Sequence, residues 1–400
     1  SHFGGAREVN TCWRPMPCPA MALARQVPAS RCLVLGAGAQ GLACALRLWE
    51  QGWDVSVVAQ DWLRGTTSSG AGAIWEYPPF QVEPLHDAKR WVLSSLDIFL
   101  AIVRLGEACA PSGVRLRRSY FLFRDRARGR SMYAHVASLG RLRACEGPPP
   151  SGLARAGTFD YAFSYDAPVV CMAQYLPWLT NIVGQLPGVR LAQARIQGRS
   201  DVELWKRTEG AQLVVNCLGL GAREVFGDSA LHGVRGDLVY VLAPGIEERF
   251  NLAHASDEDD PAGELTYMVP QGNGVLALAG TSERMPNGLA SMAARQGELL
   301  AIVERSTRAF ACLGEQPVVL GHWSGARPGR SGGIRLELAE EDALGPVVHN
   351  YGHGGSGVVT SWGCAADVAA LALQAAPSVP RPRQLPPRLL ALAGAGPARL

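Results

Sequence analysis

Charge is scarce in this chain: only 18% of its 400 residues are Asp, Glu, Lys or Arg, and 38 basic side chains stand against 35 acidic ones. The basic residues form no stripe of the kind a nucleic-acid partner requires, so no nucleic acid is expected. The ten cysteines contain no CxxC pair and no closely spaced Cys/His quartet, which excludes the usual zinc frameworks, and no metal is expected. Cys32 and Cys217 lie in apolar, strand-like runs and read as small core residues, so free thiols and a reducing compartment are expected. An uninterrupted apolar run of about eighteen residues is also lacking, and the helix-like segment 358–375 carries Asp367 and Gln374, so no membrane span is expected. No internal repeat occurs. What is present is a chain that is 48% hydrophobic and long enough for two domains, the composition of a globular protein that handles small molecules.

The two ends carry little fold information. Residues 1–29 contain arginine but little periodicity and read as a loose leader or tail, with a transit signal as the alternative. From Ala376 the chain is Pro-rich and reads as a flexible tail. It finishes on Ala398, Arg399 and Leu400, the small-basic-leucine pattern of a peroxisomal address, so the expected location is the peroxisome and otherwise the cytoplasm.

The stretch RCLVLGAGAQGLACALRLWEQGWDVSVVAQD supplies the first chemistry. An apolar strand leads into Gly36-Ala37-Gly38-Ala39-Gln40-Gly41, then an amphipathic helix to about Gln51 and a second strand over Val55 to Val58. In that setting GxGxxG is a dinucleotide fingerprint. Gly36 makes the turn, Gly38 lets the backbone approach a pyrophosphate, and Gly41 lets helix and strand pack, with the phosphates at the helix N-terminus. Beyond the second strand, Asp61 is the candidate ribose contact and Gln60 its neutral alternative; no arginine stands there to receive a 2′-phosphate, though Arg64 is close, so NADP is disfavoured rather than excluded. The following RGTTSSGAGAIWEYPPF is a loop rich in hydroxyls and glycine. Thr66, Thr67, Ser68 and Gly72 suit an extended cofactor lying along the backbone, which favours FAD over NAD. Ile196, at the end of a strand expected from Val189, joins the candidate cofactor contacts.

A second glycine-rich stretch, HNYGHGGSGVVTSWGCA, crowds Gly352, Gly354, Gly355 and Gly357 around His353. So bare a backbone marks a tight turn or a ligand lying against the main chain. A metal site on His353 lacks partner ligands.

Eight motifs in order resemble the D-amino-acid oxidase family, which includes the D-aspartate oxidases: GAGAQGLACAL, TTSSGAGAIW, YLPWLT, VVNCLGLGAR, VRGDLVYV, LTYMVP, GARPGRSGGIRLE and NYGHGGSGVVTSWGCA. The resemblance spans roughly 31 to 375 and is nearer to D-amino-acid oxidase. It implies non-covalent FAD, hydride transfer from the α-carbon of a D-amino acid, hydrolysis of the imino acid to a 2-oxo acid and ammonia, and release of hydrogen peroxide. It also implies Arg327 as the carboxylate-binding residue and Tyr267 as a second carboxylate contact. The backbone of Gly355 would accept from the substrate amine, and Gly357 and Val358 would reach the flavin ring, with Gly354, Val359 and Thr360 completing that loop. The helix expected from near Val358 would point its positive end at the ring. The lid tyrosine usual in the family is missing, its neighbourhood reading DEDDPAGEL.

Relatives acting on acidic substrates carry arginines where this chain has Asp260 and Ser282, and the run Asp257, Glu258, Asp259 and Asp260 would repel a side-chain carboxylate, with Arg284 a partial compensation. Neutral or basic D-amino acids are therefore the expected substrates. The alternatives are a D-aspartate oxidase, a glycine- or sarcosine-type amine oxidase, and a catalytically silent flavin-binding interaction protein. The expected partners are a D-amino acid and oxygen, with a homodimer as the assembly.

The expected fold is α/β, a Rossmann-like FAD-binding domain interleaved with an α+β substrate domain on a mostly antiparallel sheet. FAD-domain segments are expected over 30–80, 161–235 and 322–376, substrate-domain segments over 81–160 and 236–321, and tails over 1–29 and 377–400. The Pro- and Gly-rich 145–157 reads as a linking loop.

Overall fold

A computed structural model describes residues 30–79, 82, 85–105, 112–250, 252–257, 266–285, 295–375 and 382–385. The acidic run from Glu258 to Asp260, the leader and the Ala398–Leu400 end lie outside these residues.

Near-continuous apolar runs, such as Cys32 to Leu35 and Val55 to Val58, are buried on both faces, as a sheet covered by helices requires. They build a six-stranded sheet in the order Arg335–Glu341, Gly345–Tyr351, Leu213–Asn216, Arg31–Leu35, Asp54–Ala59, Val189–Gln193. All neighbours are parallel except the first pair. The helices Ala39–Glu50 and Ser361–Ala375 pack together over it.

The second sheet has nine strands. Its path is Glu283–Met285, Leu231–Leu242, Val275–Ala279, Thr266–Gly272, Leu252–Asp257, Val114–Phe123, Tyr161–Val170, Cys145–Gly147, and Val318–Arg330 also pairs with Leu231–Leu242. Only the pairing of Val114–Phe123 with Leu252–Asp257 is parallel. The mixed α/β fold thus joins a mainly parallel sheet to a mainly antiparallel one.

Three boundaries differ from those read in the sequence. Tyr161–Val170 pairs along its whole length with Val114–Phe123, so it belongs to the antiparallel sheet and not to the nucleotide side. The same holds for Leu231 to Arg235 and His322 to Arg330, which are two edges of one long antiparallel pairing. Cys145–Gly147, read as part of a linking loop, is an edge strand against Ser164, Phe163 and Ala162. Strand partnership joins segments distant in sequence, so local Pro and Gly content could not locate these seams. The regular C-terminal helix also begins at Ser361, later than Val358. A 3-10 turn over Gly354–Ser356 comes first, and Ser361 N donates to Val358 O.

Candidate active site

A cavity of about 670 Å³ opens where the parallel strands end, and both sheets line it. At its floor the turn after the first strand has no room for side chains. Gly36 has φ +104°, and a Cβ there would lie 2.4 Å from the carbonyl oxygen of Cys217. At Gly41 a Cβ would lie 1.9 Å from the oxygen of Gly36, so the helix can approach its own strand only as glycine. Ala39 N takes a hydrogen bond acceptor from the neighbouring loop, the Ser68 hydroxyl at 3.1 Å, which caps a helix that has no capping side chain of its own.

The structure brings most of the expected contacts to this cavity. Gly36, Ala37, Gly38 and Gln40 line one wall, and Gln60 and Asp61 stand at its exposed mouth with Arg64. Thr66, Thr67, Ser68 and Gly72 line the next stretch, and Ile196 closes the side. Gly354, Gly355, Gly357, Val358 and Val359 form the opposite wall, with Gly355 exposed between buried Gly354 and Ser356. Three expected contacts do not reach the cavity. Ala39 and Gly41 face inward beneath the turn, and Thr360 is buried, its hydroxyl donating to Ser356 O at 2.8 Å. A motif marks the segment, but the helical phase decides which of its residues face outward.

Gln40 connects the two glycine-rich walls. Its amide donates to Gly357 O at 2.9 Å and to Thr360 Oγ1 at 3.3 Å, while its oxygen accepts from Asn350 Nδ2 at 3.0 Å. Replacing Gln40 with Ala removes this brace, and at about 1 kcal/mol per neutral hydrogen bond the FAD dissociation constant should rise about tenfold. Fluorescence of FAD released on dilution measures it, and an unchanged constant would reject the brace.

Farther in, the antiparallel sheet contributes Tyr267, Trp323 and Arg327. Strand alternation puts Trp323, Gly325 and Arg327 on one face, and glycines make space for both large side chains. A Cβ at Gly236 would sit 2.4 Å from the Arg327 guanidinium carbon, and one at Gly70 or Gly325 would enter the Trp323 ring. Arg327 Nη1 donates to Arg235 O at 3.1 Å and Thr281 O at 3.0 Å. Tyr267 is within hydrogen-bonding reach of the same guanidinium; burial raises its phenol pKa, Arg327 opposes that, and the negative charge of Glu76 adds to it. The phenol therefore remains protonated at neutral pH.

Glu76 also lines the cavity, and the sequence reading did not assign it or Trp323. The signal for Trp323 was a tryptophan two residues before a glycine on one strand face. Glu76 follows directly on the glycine-rich loop. Arg284 lies outside the lining and donates to Ser331 Oγ at 3.0 Å, so it does not compensate for a lost cation in the site. Arg330 binds Asp228 at 2.9 Å and Arg335 binds Glu337 at 2.7 Å, which are structural roles.

The cavity suits FAD on two grounds. Gly36, Gly38, Gly354, Gly355 and Gly357 offer it bare backbone at the entry to two helices, where an anionic group is favoured, and two buried polar atoms of lining residues, Asn350 Oδ1 and His353 Nε2, have no protein partner. Burial lowers the His353 pKa to about 3, so it is neutral at physiological pH. Among the described residues no group of three or more His, Cys, Asp or Glu is placed to hold a metal, and no helix is long and apolar enough to cross a membrane.

Comparison with known proteins agrees with this geometry. Residues 31–371 match the family described as FAD dependent oxidoreductase. The D-amino-acid oxidase of Rubrobacter xylanophilus is 38% identical over 343 residues, 86% of this chain and 96% of that protein. The D-aspartate oxidase of Homo sapiens is 28% identical over 352 residues, 86% of this chain and 94% of that protein. Among solved structures, glycine oxidase from Geobacillus kaustophilus has a TM-score of 0.67 at 18% identity, covering 86% of this chain and 95% of that one, a likeness of fold alone.

Proposed function

The chain belongs to the FAD dependent oxidoreductase family, and from that premise we propose that it is a D-amino-acid oxidase acting on neutral or basic D-amino acids. The observation that carries the proposal is Arg327, anchored by two backbone carbonyls beside Tyr267, in the same cavity as the Gly354–Val359 loop. FAD, when bound, supplies the acceptor for the α-hydrogen as hydride and later passes two electrons to oxygen, giving hydrogen peroxide.

The protein's own part is placement. The planar guanidinium of Arg327 matches a substrate carboxylate as a fork. The Tyr267 hydroxyl gives the carboxylate a second partner and, being protonated, can donate to it. The exposed backbone at Gly355 faces the same space and can accept from the substrate amine, leaving the α-hydrogen oriented by three fixed points. The wall formed by Gly357 and Val358 lies just before the N-terminus of the Ser361–Ala375 helix, where the positive end of the helix dipole favours negative charge developing nearby. The imino acid then hydrolyses to a 2-oxo acid and ammonia without a further protein group.

Glu76 supports the neutral or basic preference, since a carboxylate in the lining opposes an acidic side chain and attracts a cationic one. Glu76→Gln should narrow the ratio of kcat/KM for D-lysine over D-alanine by about three- to tenfold, the scale of one screened charge interaction. Measured peroxide release on the two substrates checks this, and an unaltered ratio would count against Glu76.

The proposal as a whole is tested by mixing the FAD-loaded protein with D-alanine, D-lysine, D-aspartate and sarcosine under nitrogen and following the flavin band. Bleaching by D-alanine or D-lysine with subsequent peroxide on admitting air is expected; a strong preference for D-aspartate or sarcosine replaces the substrate reading, and no bleaching at all leaves only a flavin-binding protein. A homodimer belongs to the same proposal, with exposed Val318, Val319 and Leu320 beside Leu242 as its surface, and sedimentation velocity decides it.

A further inference from the structure

The reverse face of the strand that seats Arg327 carries a buried polar network that the proposed reaction does not use. Arg235 and Asp237 form a two-pronged ion pair, Nε to Oδ2 at 2.9 Å and Nη2 to Oδ1 at 2.8 Å, with each side chain 1% exposed. Asp237 accepts two more hydrogen bonds, from Ser324 Oγ at 2.5 Å and Thr281 Oγ1 at 3.0 Å. Its backbone N–H donates back to Thr281 Oγ1 at 2.7 Å. Burial alone would raise the Asp237 pKa, but the bonds from Arg235, Ser324 and Thr281 outweigh burial and hold it below the usual carboxylate range.

A buried ion pair is poor evidence of a stability role, since apolar side chains of similar volume often serve a core as well or better. The placement of this pair points elsewhere. The two carbonyls that receive Arg327 Nη1 belong to Arg235 and Thr281, and both of those residues are held by Asp237. Ser324, the third group on Asp237, lies between Trp323 and Gly325, which face the cavity side of the same strand. Gly236, between Arg235 and Asp237, is the residue over which the guanidinium lies. One carboxylate therefore fixes, through backbone, the two acceptors and the floor beneath the Arg327 head group.

We propose that Asp237 is a positioning residue for the carboxylate clamp: through Arg235, Thr281 and Ser324 it sets the direction of the Arg327 guanidinium from the opposite face of the sheet. This rests on reading Arg327 as the carboxylate-binding group. An arginine fork is directional, so a rotation of the guanidinium out of the plane of an incoming carboxylate forfeits one of its two bonds while leaving the charge in place. The network thus controls substrate affinity without touching substrate, and it lies away from the Gly36–Gly41 cradle.

The test uses the FAD-loaded full chain and propanoate, which is the D-alanine skeleton without its amine, titrated by its perturbation of the flavin absorbance. Asp237→Asn should weaken propanoate binding about tenfold, equivalent to about 1.4 kcal/mol. Thr281→Val should weaken it less and Ser324→Ala least. The KM for D-alanine should follow that order and rise by more than kcat falls, while the FAD dissociation constant stays within about twofold, which is below 0.5 kcal/mol. A purely structural role would lower Tm and leave propanoate affinity in the folded protein untouched, and that result overturns the proposal. So does a loss of FAD in parallel with propanoate. If Asp237→Asn does not fold, Thr281→Val decides alone. Failure of the substrate reading is separable: parent protein that binds propanoate in the graded manner but does not oxidise D-amino acids keeps the positioning role and loses the activity, whereas unchanged affinities in an active enzyme do the reverse.

Discussion

Arg327→Met should lower kcat/KM for D-alanine by roughly a thousandfold while the protein still purifies yellow. The magnitude follows from losing one partner of a buried, hydrogen-bonded charge pair, about 2–5 kcal/mol, at about 1.4 kcal/mol per factor of ten. Met fills a similar volume, so the seat above Gly236 stays occupied and gross packing is kept. Arg235 O and Thr281 O lose their common donor, so a small fall in Tm is expected as well. Arg327→Lys should recover only part of the loss, because a point charge cannot engage both carboxylate oxygens in a fixed plane. Steady-state peroxide formation and the ratio of flavin to protein absorbance measure the two effects separately. An Arg327→Met enzyme with kcat/KM within tenfold of the parent would remove this residue from the clamp.

The second large effect is expected at the opposite end of the cavity. Gly41→Ala places a methyl carbon 1.9 Å from the carbonyl oxygen of Gly36, and that neighbour is backbone, which cannot rotate aside. Relief requires the helix Ala39–Glu50 to move from the first strand, carrying with it the N-terminal turn whose Gly38 and Gln40 line the cavity. Overpacking of this kind costs about 1–3 kcal/mol in stability. The cost to FAD is larger, since phosphate recognition at a helix N-terminus depends on amide direction. We expect a colourless protein whose FAD dissociation constant has risen at least about a hundredfold, or about 2.7 kcal/mol. Stoichiometric yellow Gly41→Ala protein would contradict this account of the turn.

Local pattern made part of the site legible. Gly36, Gly38 and Gly41 stand between an apolar strand and an amphipathic helix, and spacing alone assigned their roles. Arg327 and Tyr267 were visible only through the resemblance of ARPGR and LTYMVP to a family, because nothing in either stretch distinguishes a cavity-facing side chain from a surface one. Gly236 opposite Arg327 and Gly70 opposite Trp323 gave no signal of their own; their purpose is to admit a side chain from a strand far away in sequence. Asp237 was invisible for the same reason, its partners Thr281 and Ser324 being 44 and 87 residues distant. Thr360, read as a cofactor contact from the resemblance of its loop, lies outside the cavity lining, and its hydroxyl donates to Ser356 O and accepts from Gln40. In the fold, the strand Tyr161–Val170, grouped by sequence with the nucleotide-side segments, pairs in the antiparallel sheet, where Phe163 and Tyr165 stack on Phe121, a partner that an isolated run does not disclose.

The brace from Gln40 to Gly357 spans 317 residues of chain, and the central strand Arg31–Leu35 has Leu213–Asn216 as its neighbour. During synthesis the nucleotide turn therefore leaves the ribosome long before the loop that completes it, at about 5–20 residues per second. For tens of seconds the nascent chain holds half a cofactor site with its parallel sheet unfinished, and contacts of such long sequence separation form late. Flavin can thus be captured only once both halves of its site have met, which makes loading a late event of biogenesis.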